Sequence, residues 1–405
     1  MAAWPSSWRL LIAGRVAVLA RLSTSTAMAR VVLRGGGVPG SESAPPVVPD
    51  GVLADLRARV RSFRRVGLPA ADGWSMGVDA VYLDELLAAW ADGYEWGEVE
   101  ARVRALPWVV AGRGKVPLRV VHQCAANPDA VAVVLLHGWP DSVMRFEKVL
   151  PMLTDVHVIV PALPGYPFAV PVSSPGGSAA AMATAVAAAM ADLGYDQYVV
   201  SGGDVGTDVA ESLAATHPDR VLGLHLTDLS HHHALVDPPA DLAAAERSYL
   251  ERVHEWHAIE GGYNHQQSTR PNTLAIGLGD SPAGLAAWIV DKLYRWSDCG
   301  GDLETAFTRE DVLNWVTAYW VTATIGTSFA PYAHREPLPG PITAPTAFTM
   351  FPGDIVSAPR QFAARFFDIQ SWVQPSGGGH FDAWERPADY AAGIRAAVAH
   401  RRPEG

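Results

Sequence analysis

Cysteine is scarce in this sequence of 405 residues, where only Cys124 and Cys299 occur. Two cysteines so far apart provide no disulfide framework, so we expect a protein of the reducing cytoplasm. Basic residues are also in deficit, because 31 lysines and arginines face 42 aspartates and glutamates and give a net charge of −11. An acidic chain of this kind argues against nucleic acid as a partner.

The apolar stretch nearest the N-terminus is too short to cross a bilayer. Residues 10–22 are mostly apolar but are interrupted by two arginines, whereas a membrane-spanning helix needs about 20 consecutive apolar residues. The first 40 residues contain five arginines and no acidic residue, a composition that resembles a transit-type or weak signal segment. Met28 offers an alternative start. We therefore expect residues 1–47 to be a disordered leader and linker without a catalytic role.

The histidines form no metal-binding pattern. The consecutive His231-His232-His233 cannot all face one ion without distortion, and the pair His254 and His257 has no third ligand at a recognisable spacing. A zinc site needs three or four ligands in tetrahedral positions. We expect neither a metal nor any other cofactor.

Glycines instead surround one acidic residue at the centre of the chain. The apolar run 198–200 predicts a buried strand, Gly202-Gly203-Asp204-Val205-Gly206 follows, and a helix is predicted over 207–217. This is the pattern of a nucleophile elbow with aspartate in the serine position. A carboxylate is ionised at neutral pH and can attack carbon without an activating base. The alternative is that Asp204 only caps the helix, and this stretch alone does not decide between them.

A second elbow-like motif, Gly73-Trp74-Ser75-Met76-Gly77, is rejected as a nucleophile site. The preceding residues 68–72 read as a loop and not as a strand, and the motif lies before every strand of the predicted sheet. A nucleophile elbow requires a strand immediately before the turn.

The remaining chain predicts an α/β-hydrolase fold. Alternating strands and helices favour a mostly parallel, twisted sheet with helices on both faces. Strands are predicted at 108–110, 118–121, 131–136, 156–160, 198–200, 221–226, 346–351 and 370–374. Ligands bind at the carboxyl ends of such strands, and five candidate residues lie there: His137, Asp204, Asp228, Asp354 and His380.

Five regions follow from this reading. After the leader, residues 48–115 form an N-terminal helical and meander extension, residues 116–229 and 341–405 form the two parts of the core, and residues 230–340 form a helical lid. Helices are predicted near 52–60, 82–90 and 96–106 in the extension, and near 241–256, 282–296 and 309–325 in the lid.

Chain order suggests the catalytic partners. His380 follows three glycines after the last strand and is the candidate base, since hydrolases of this fold run nucleophile, acid, base. Asp354 ends the preceding strand and is the favoured acid, with Asp228 as its rival. The oxyanion-hole N–H groups would come from Trp139, in the loop after a strand, and from Val205, next to the nucleophile.

These motifs together resemble the microsomal-type epoxide hydrolases, including bacterial members, from about Val48 to the C-terminus. The sequence departs from the family at Val205, where tryptophan is common, and at Asp354, where glutamate is common. The matching segments are His137-Gly138-Trp139-Pro140, Leu163-Pro164-Gly165-Tyr166, Gly202-Gly203-Asp204, Gln267-Ser268-Thr269-Arg270-Pro271, residues 280–288 and Gly378-Gly379-His380-Phe381.

The resemblance implies hydrolysis of an epoxide to a vicinal diol through an ester on Asp204. It implies that Tyr263 and Tyr332 donate protons to the epoxide oxygen, and that His380 with Asp354 activates water. The substrates would be a small-molecule epoxide and water. The sequence decides neither the size of the epoxide nor whether the protein forms a homodimer. A haloalkane dehalogenase and a non-catalytic binding protein are the alternatives. Neither accounts as well for a complete nucleophile, acid and base with paired tyrosines.

Overall fold

A computed structural model describes residues 43–112, 116–171, 177–236, 238–337 and 340–403. Most of the predicted leader therefore lies outside the described residues. Its last part, residues 43–47, is placed against the domain and does not form a free linker. The Arg119 guanidinium donates a hydrogen bond of 3.0 Å to the Ser43 carbonyl, and Arg104 donates to the carbonyl of the buried Pro45. Two arginines of the folded domain thus hold this segment.

The described residues build one sheet of eight strands in the order β1-β2-β4-β3-β5-β6-β7-β8. The strands are Trp108–Ala111 (β1), Leu118–Gln123 (β2), Ala132–Leu136 (β3), His157–Pro161 (β4), Tyr198–Gly202 (β5), Val221–Leu226 (β6), Pro345–Thr349 (β7) and Asp368–Val373 (β8). β1 pairs antiparallel with β2, β2 pairs antiparallel with β4, and all other pairs are parallel. The predicted mostly parallel sheet is confirmed.

Helices cover both faces of the sheet. Every residue of β3 to β7 is buried, and because successive strand residues point to opposite faces, both faces must be covered. The helices are Asp50–Arg61 (α1), Ala80–Asp92 (α2), Trp96–Ala105 (α3), Ala179–Asp192 (α4), Val205–Thr216 (α5), His232–Leu235 (α6), Ala244–Ile259 (α7), Gly262–Thr269 (α8), Pro271–Asp280 (α9), Pro282–Trp296 (α10), Arg309–Thr322 (α11), Ala330–Ala333 (α12), Arg360–Ala363 (α13), Asp382–Glu385 (α14) and Pro387–His400 (α15).

The insertion between β6 and β7 is helical, as expected, but its helices differ in detail from the prediction. Residues 262–280 form α8 and α9, which the sequence analysis did not assign. Two glycines in α9 weaken its helical signal. Helix α11 ends at Thr322, three residues before the predicted end, because Ala323 takes a left-handed conformation with φ 52°. Helix α10 has the predicted bounds and is capped by Ser281, whose side chain accepts a hydrogen bond from Gly284 N–H.

The rejected elbow motif is confirmed as unrelated to the sheet. Residues 73–76 form a short 3₁₀ helix in the N-terminal extension, and Ser75 is exposed to solvent. No strand precedes it within the described chain.

The described helices were compared in length and apolar character with a membrane-spanning helix, which needs about 20 apolar residues. None of these helices by itself has both the length and the apolar character needed to cross a bilayer. Helices α9 and α10 together would satisfy the length and composition criteria, but they are bent by 116° at their junction.

Candidate active site

The turn between β5 and α5 places Asp204 at the carboxyl edge of the sheet. Asp204 has φ 58° and ψ −129°, a conformation that costs a non-glycine residue energy and is found at functional turns. The turn is possible because glycine occupies the positions where the chain comes too close to other backbone atoms to leave room for a side chain. A Cβ on Gly206 would lie 2.3 Å from the Leu136 carbonyl oxygen, and one on Gly202 would lie 2.4 Å from the Gly206 oxygen.

The Asp204 carboxylate does not cap helix α5 but faces the cavity. Its side chain makes no capping hydrogen bond to α5. Instead Oδ1 accepts a hydrogen bond of 2.7 Å from the Trp139 N–H, in the loop after β3. Val205 is the first residue of α5, so its N–H belongs to the first turn and has no partner within the helix. Of the two predicted oxyanion-hole residues, Trp139 thus donates to this carboxylate, and Val205 lines the same cavity.

His380 lies between two carboxylates. Its Nδ1 is 2.8 Å from Asp354 Oδ1, and its Nε2 is 3.4 Å from Asp204 Oδ2. The longer contact is an ion-pair distance without good hydrogen-bond geometry, so Nε2 has no hydrogen-bond partner among the described residues. The histidine is thus oriented by Asp354 and keeps its second nitrogen directed towards Asp204.

The charges of this trio depend on one another. Burial alone would lower the pKa of His380, but the adjacent Asp354 and Asp204 carboxylates raise it well above its ordinary value. Burial alone would raise the pKa of Asp354, but the His380 imidazolium lowers it below its ordinary value. With Asp204 unmodified, the geometry therefore favours a protonated His380 and an ionised Asp354.

Asp228, the rival acid, has a different position. Its Oδ2 accepts a hydrogen bond of 3.0 Å from the Asp204 N–H, and its Oδ1 accepts one from the Thr207 hydroxyl. Burial and the nearby Asp354 charge raise the pKa of Asp228 well above its ordinary value. In the described structure Asp228 holds the backbone of the elbow and makes no hydrogen bond or ion pair with His380.

The two tyrosines come from the insertion and face the same cavity as Asp204. Tyr263 lies on α8 and Tyr332 on α12, and their ring centroids are 6.0 Å apart. Tyr263 stacks on the Trp139 ring at 5.5 Å, and Tyr332 contacts the same ring edge-on at 6.0 Å. Burial and the Asp204 charge raise the pKa of both phenols well above its ordinary value. Both hydroxyls consequently stay protonated and available as donors.

A cavity of about 120 Å³ joins these groups. Its walls include Asp204, Asp208, His231, Tyr263, Tyr332 and His380. His137, another residue at the sheet edge, does not line it; the buried His137 ring accepts a hydrogen bond of 3.1 Å from Leu163 N–H and joins two loops. No group of three or more histidine, cysteine, aspartate or glutamate side chains suited to a metal occurs in the part of the chain that is described.

Comparison with known proteins identifies the family. A family model described as the epoxide hydrolase N terminus matches residues 43–146, and one described as the alpha/beta hydrolase fold matches residues 131–259. A Stigmatella aurantiaca protein named as a candidate epoxide hydrolase is 33% identical over 364 residues, which cover 86% of this chain and 82% of that protein. The chain belongs to the epoxide hydrolase family.

Other epoxide hydrolases share this relationship. Juvenile hormone epoxide hydrolase 2 of Ctenocephalides felis is 30% identical over 398 residues, with 86% of this chain and 83% of that protein covered. The structure of Aspergillus niger epoxide hydrolase has a TM-score of 0.78 at 28% identity and covers 88% of this chain and 96% of its own. The silkworm (Bombyx mori) juvenile hormone epoxide hydrolase structure also has a TM-score of 0.78, at 27% identity, with 88% and 94% covered. Epoxide hydrolysis is thereby favoured over haloalkane dehalogenation.

Sequence reasoning missed an ion network behind the active site of this epoxide hydrolase. The Arg145 side chain is buried and donates hydrogen bonds to Asp141 at 2.7 Å, to Asp382 at 2.6 Å and to the His380 carbonyl at 2.9 Å. A buried guanidinium requires such partners, since an unpaired buried charge is costly. The network fixes the backbone of the His380 loop, and a lone arginine in the short 3₁₀ helix Val143–Phe146 gives no sequence signal for that role.

Proposed function

We propose that this epoxide hydrolase converts an epoxide into a vicinal diol in two covalent steps, with Asp204 as the nucleophile. One observation carries the assignment: His380 is bonded to Asp354 and directs its free nitrogen towards the carboxylate on the elbow, 3.4 Å away. Base, acid and nucleophile are therefore in the order that ester hydrolysis needs, within one cavity that also holds two protonated phenols.

In the first step, a carboxylate oxygen of Asp204 attacks one ring carbon, and the bond from that carbon to the epoxide oxygen breaks. The Trp139 N–H fixes Oδ1 at 2.7 Å, which leaves Oδ2 for the attack. Tyr263 or Tyr332 gives its proton to the leaving oxygen. A neutral phenol suits this task because it donates as charge develops and leaves the nearby carboxylate unprotonated.

In the second step, water hydrolyses the ester. Esterification removes the negative charge of Asp204, which is one of the two charges that raise the pKa of His380. The imidazole then gives up its proton more readily and can take one from water. The tetrahedral oxyanion is stabilised by the N–H groups of Trp139 and Val205, which act as fixed dipoles at the position where charge develops.

The protons balance over this cycle. The tyrosinate formed in the first step regains a proton from the His380 imidazolium, and the neutral imidazole then accepts one proton of the attacking water. When the tetrahedral intermediate collapses, the carboxyl proton passes to the departing diol oxygen. The enzyme returns to an ionised Asp204, a protonated His380 and two neutral tyrosines.

A reducing compartment is part of the proposal. Cys124 is exposed and Cys299 is buried, and both thiols are free. An exposed free thiol is compatible with cytosol, where disulfides are rare. We propose the cytoplasm on this basis.

The oxygen source provides a direct test of the ester. With enzyme in excess over epoxide in heavy-oxygen water, the first turnover should give diol that is mostly unlabelled at the opened carbon, because that oxygen comes from Asp204. Mass spectrometry of the diol measures this. A parallel reaction with excess epoxide should give labelled diol after the first turnovers, and full labelling in the single turnover would exclude the ester.

The acid assignment is tested by the same substitution at two positions. Asp354→Asn should slow ester hydrolysis by about 100-fold or more, since it removes the charge that orients and stabilises the imidazolium. Asp228→Asn should have a much smaller effect, because an amide oxygen can still accept a hydrogen bond from the elbow. Rapid-quench measurement of ester decay compares the two. A larger loss in Asp228→Asn than in Asp354→Asn would transfer the role to Asp228.

A further inference from the structure

Helix α5 carries a polar stripe along the cavity. Asp204, Asp208 and Ser212 are spaced by four residues, and all three line the cavity. Residues four apart share one face of a helix. Most of α5 is buried. The face of α5 towards the cavity nevertheless carries a carboxylate, Asp208, and a hydroxyl, Ser212, beyond the nucleophile.

The Asp208 carboxylate is held in place with one oxygen unused. Its Oδ1 accepts a hydrogen bond of 2.5 Å from the Ser230 hydroxyl, and in the described residues no donor reaches Oδ2 and no cation lies within ion-pair distance of it. Arg335, a cation that also lines the cavity, donates instead to Asn264 at 3.1 Å. A fixed carboxylate oxygen that faces a cavity is a hydrogen-bond acceptor for a ligand.

A pair of histidines supplies a second polar wall. His231 follows Ser230 directly, and its Nδ1 lies 3.1 Å from Nε2 of His257; both rings line the cavity. Burial lowers the pKa of both imidazoles. The His257 ring adds to this effect at His231, and Arg335 adds to it at His257. A neutral, hydrogen-bonded pair of this kind leaves one ring nitrogen as a donor and another as an acceptor.

We propose that Asp208 and His231 form a polar subsite that binds a hydroxyl or ammonium group carried on the substrate's side chain. This proposal rests on the proposed function, because the position of the subsite is measured from Asp204 as the nucleophile. Four residues of helix correspond to about 6 Å. The polar group is therefore placed two to four bonds from the epoxide ring, and the substrate class is a short epoxide with a hydrogen-bond donor on its substituent.

Matched ligands test the subsite. The epoxides 3,4-epoxybutan-1-ol and 1,2-epoxypentane differ only by hydroxyl against methyl, and 4,5-epoxypentan-1-ol with 1,2-epoxyhexane extends the series by one carbon. Burial raises the pKa of Asp208 to about 6, so the assays are run at pH 8, where the carboxylate is ionised. A hydrogen bond to this charged acceptor predicts a preference of about 10- to 100-fold in kcat/KM for the hydroxyl member of one pair. Calorimetry with butane-1,2,4-triol, 4-aminobutane-1,2-diol and pentane-1,2-diol measures the same preference without turnover.

Variants assign the preference to Asp208. Asp208→Leu should remove or reverse it, and the isosteric Asp208→Asn should weaken binding of the amine more than of the triol, because the charge is lost and an acceptor is kept. Asp196→Asn, at an exposed residue outside the cavity, is the matched control and should keep the ratio. Equal kcat/KM within both pairs, or an unchanged ratio in folded Asp208→Leu and Asp208→Asn, overturns the subsite. Selective binding of the triol without turnover of any epoxide would support the subsite and contradict the proposed function.

Discussion

A His380→Gln variant is expected to accumulate a covalent ester on Asp204 and stop there. The first step uses a carboxylate that is already ionised, so it requires no base. The second step requires one, since water is a poor nucleophile until it loses a proton. In the structure, His380 Nε2 lies 3.4 Å from Asp204 Oδ2, where it can reach a water that attacks the ester. Intact-protein mass spectrometry after mixing with an epoxide should show one added substrate mass on nearly every molecule.

The matched control is Asp204→Asn combined with His380→Gln. An amide is a weak nucleophile, so this double variant should remain at its original mass. Circular dichroism of both proteins checks that the fold is retained. If His380→Gln shows no adduct while it is folded and binds ligand, then His380 is not the base for this step or the reaction does not proceed through an ester.

Replacement of both tyrosines should nearly abolish epoxide opening. Each single change to phenylalanine, at Tyr263 or Tyr332, is expected to slow formation of the ester by about 10- to 1000-fold, the usual effect of losing one positioned acid or oxyanion donor. The double variant has no phenol left beside the leaving oxygen, because Tyr263 and Tyr332 are the only tyrosines among the described residues that line the cavity. Stopped-flow or rapid-quench measurement of ester formation gives the rate.

Ester decay in the same variants is the internal control. Hydrolysis depends on His380, Asp354 and the two N–H groups, so the rate of ester decay should change little when the phenols are lost. A double variant that forms the ester at the wild-type rate would remove both tyrosines from the mechanism. A variant that forms it slowly and also hydrolyses it slowly would indicate a general disturbance of the cavity.

Much of the core was predictable because its signals are local. The central strands are continuous apolar runs, since they are buried on both faces. The elbow was visible because the turn requires glycine at positions such as Gly206, where a side chain would collide with the Leu136 carbonyl. Chain order then placed Asp354 before His380, and the structure brings these two side chains to 2.8 Å.

The rest depends on contacts between segments that are distant in sequence. Asp228 ends a strand in the same way as Asp354, and only the fold shows that it binds the elbow backbone. Tyr263 and Tyr332 were identified by family resemblance, because a tyrosine in a helical insertion carries no signal of its own. Asp208 could have been noticed four residues after Asp204, but the partner that fixes it, Ser230, lies 22 residues further along the chain.

The groups that protonate the epoxide oxygen and those that hydrolyse the ester come from different segments of the chain. Nucleophile, base, acid and both oxyanion-hole residues belong to the loops of the sheet, whereas Tyr263 and Tyr332 lie on α8 and α12, between β6 and β7. Exchange of that one continuous segment by recombination would replace both phenols at once, and ester hydrolysis would be kept if the new segment still bound the His380 loop as the Trp296 carbonyl and the Asp298 carboxylate do. New substrates could therefore evolve without rebuilding the machinery that releases the product.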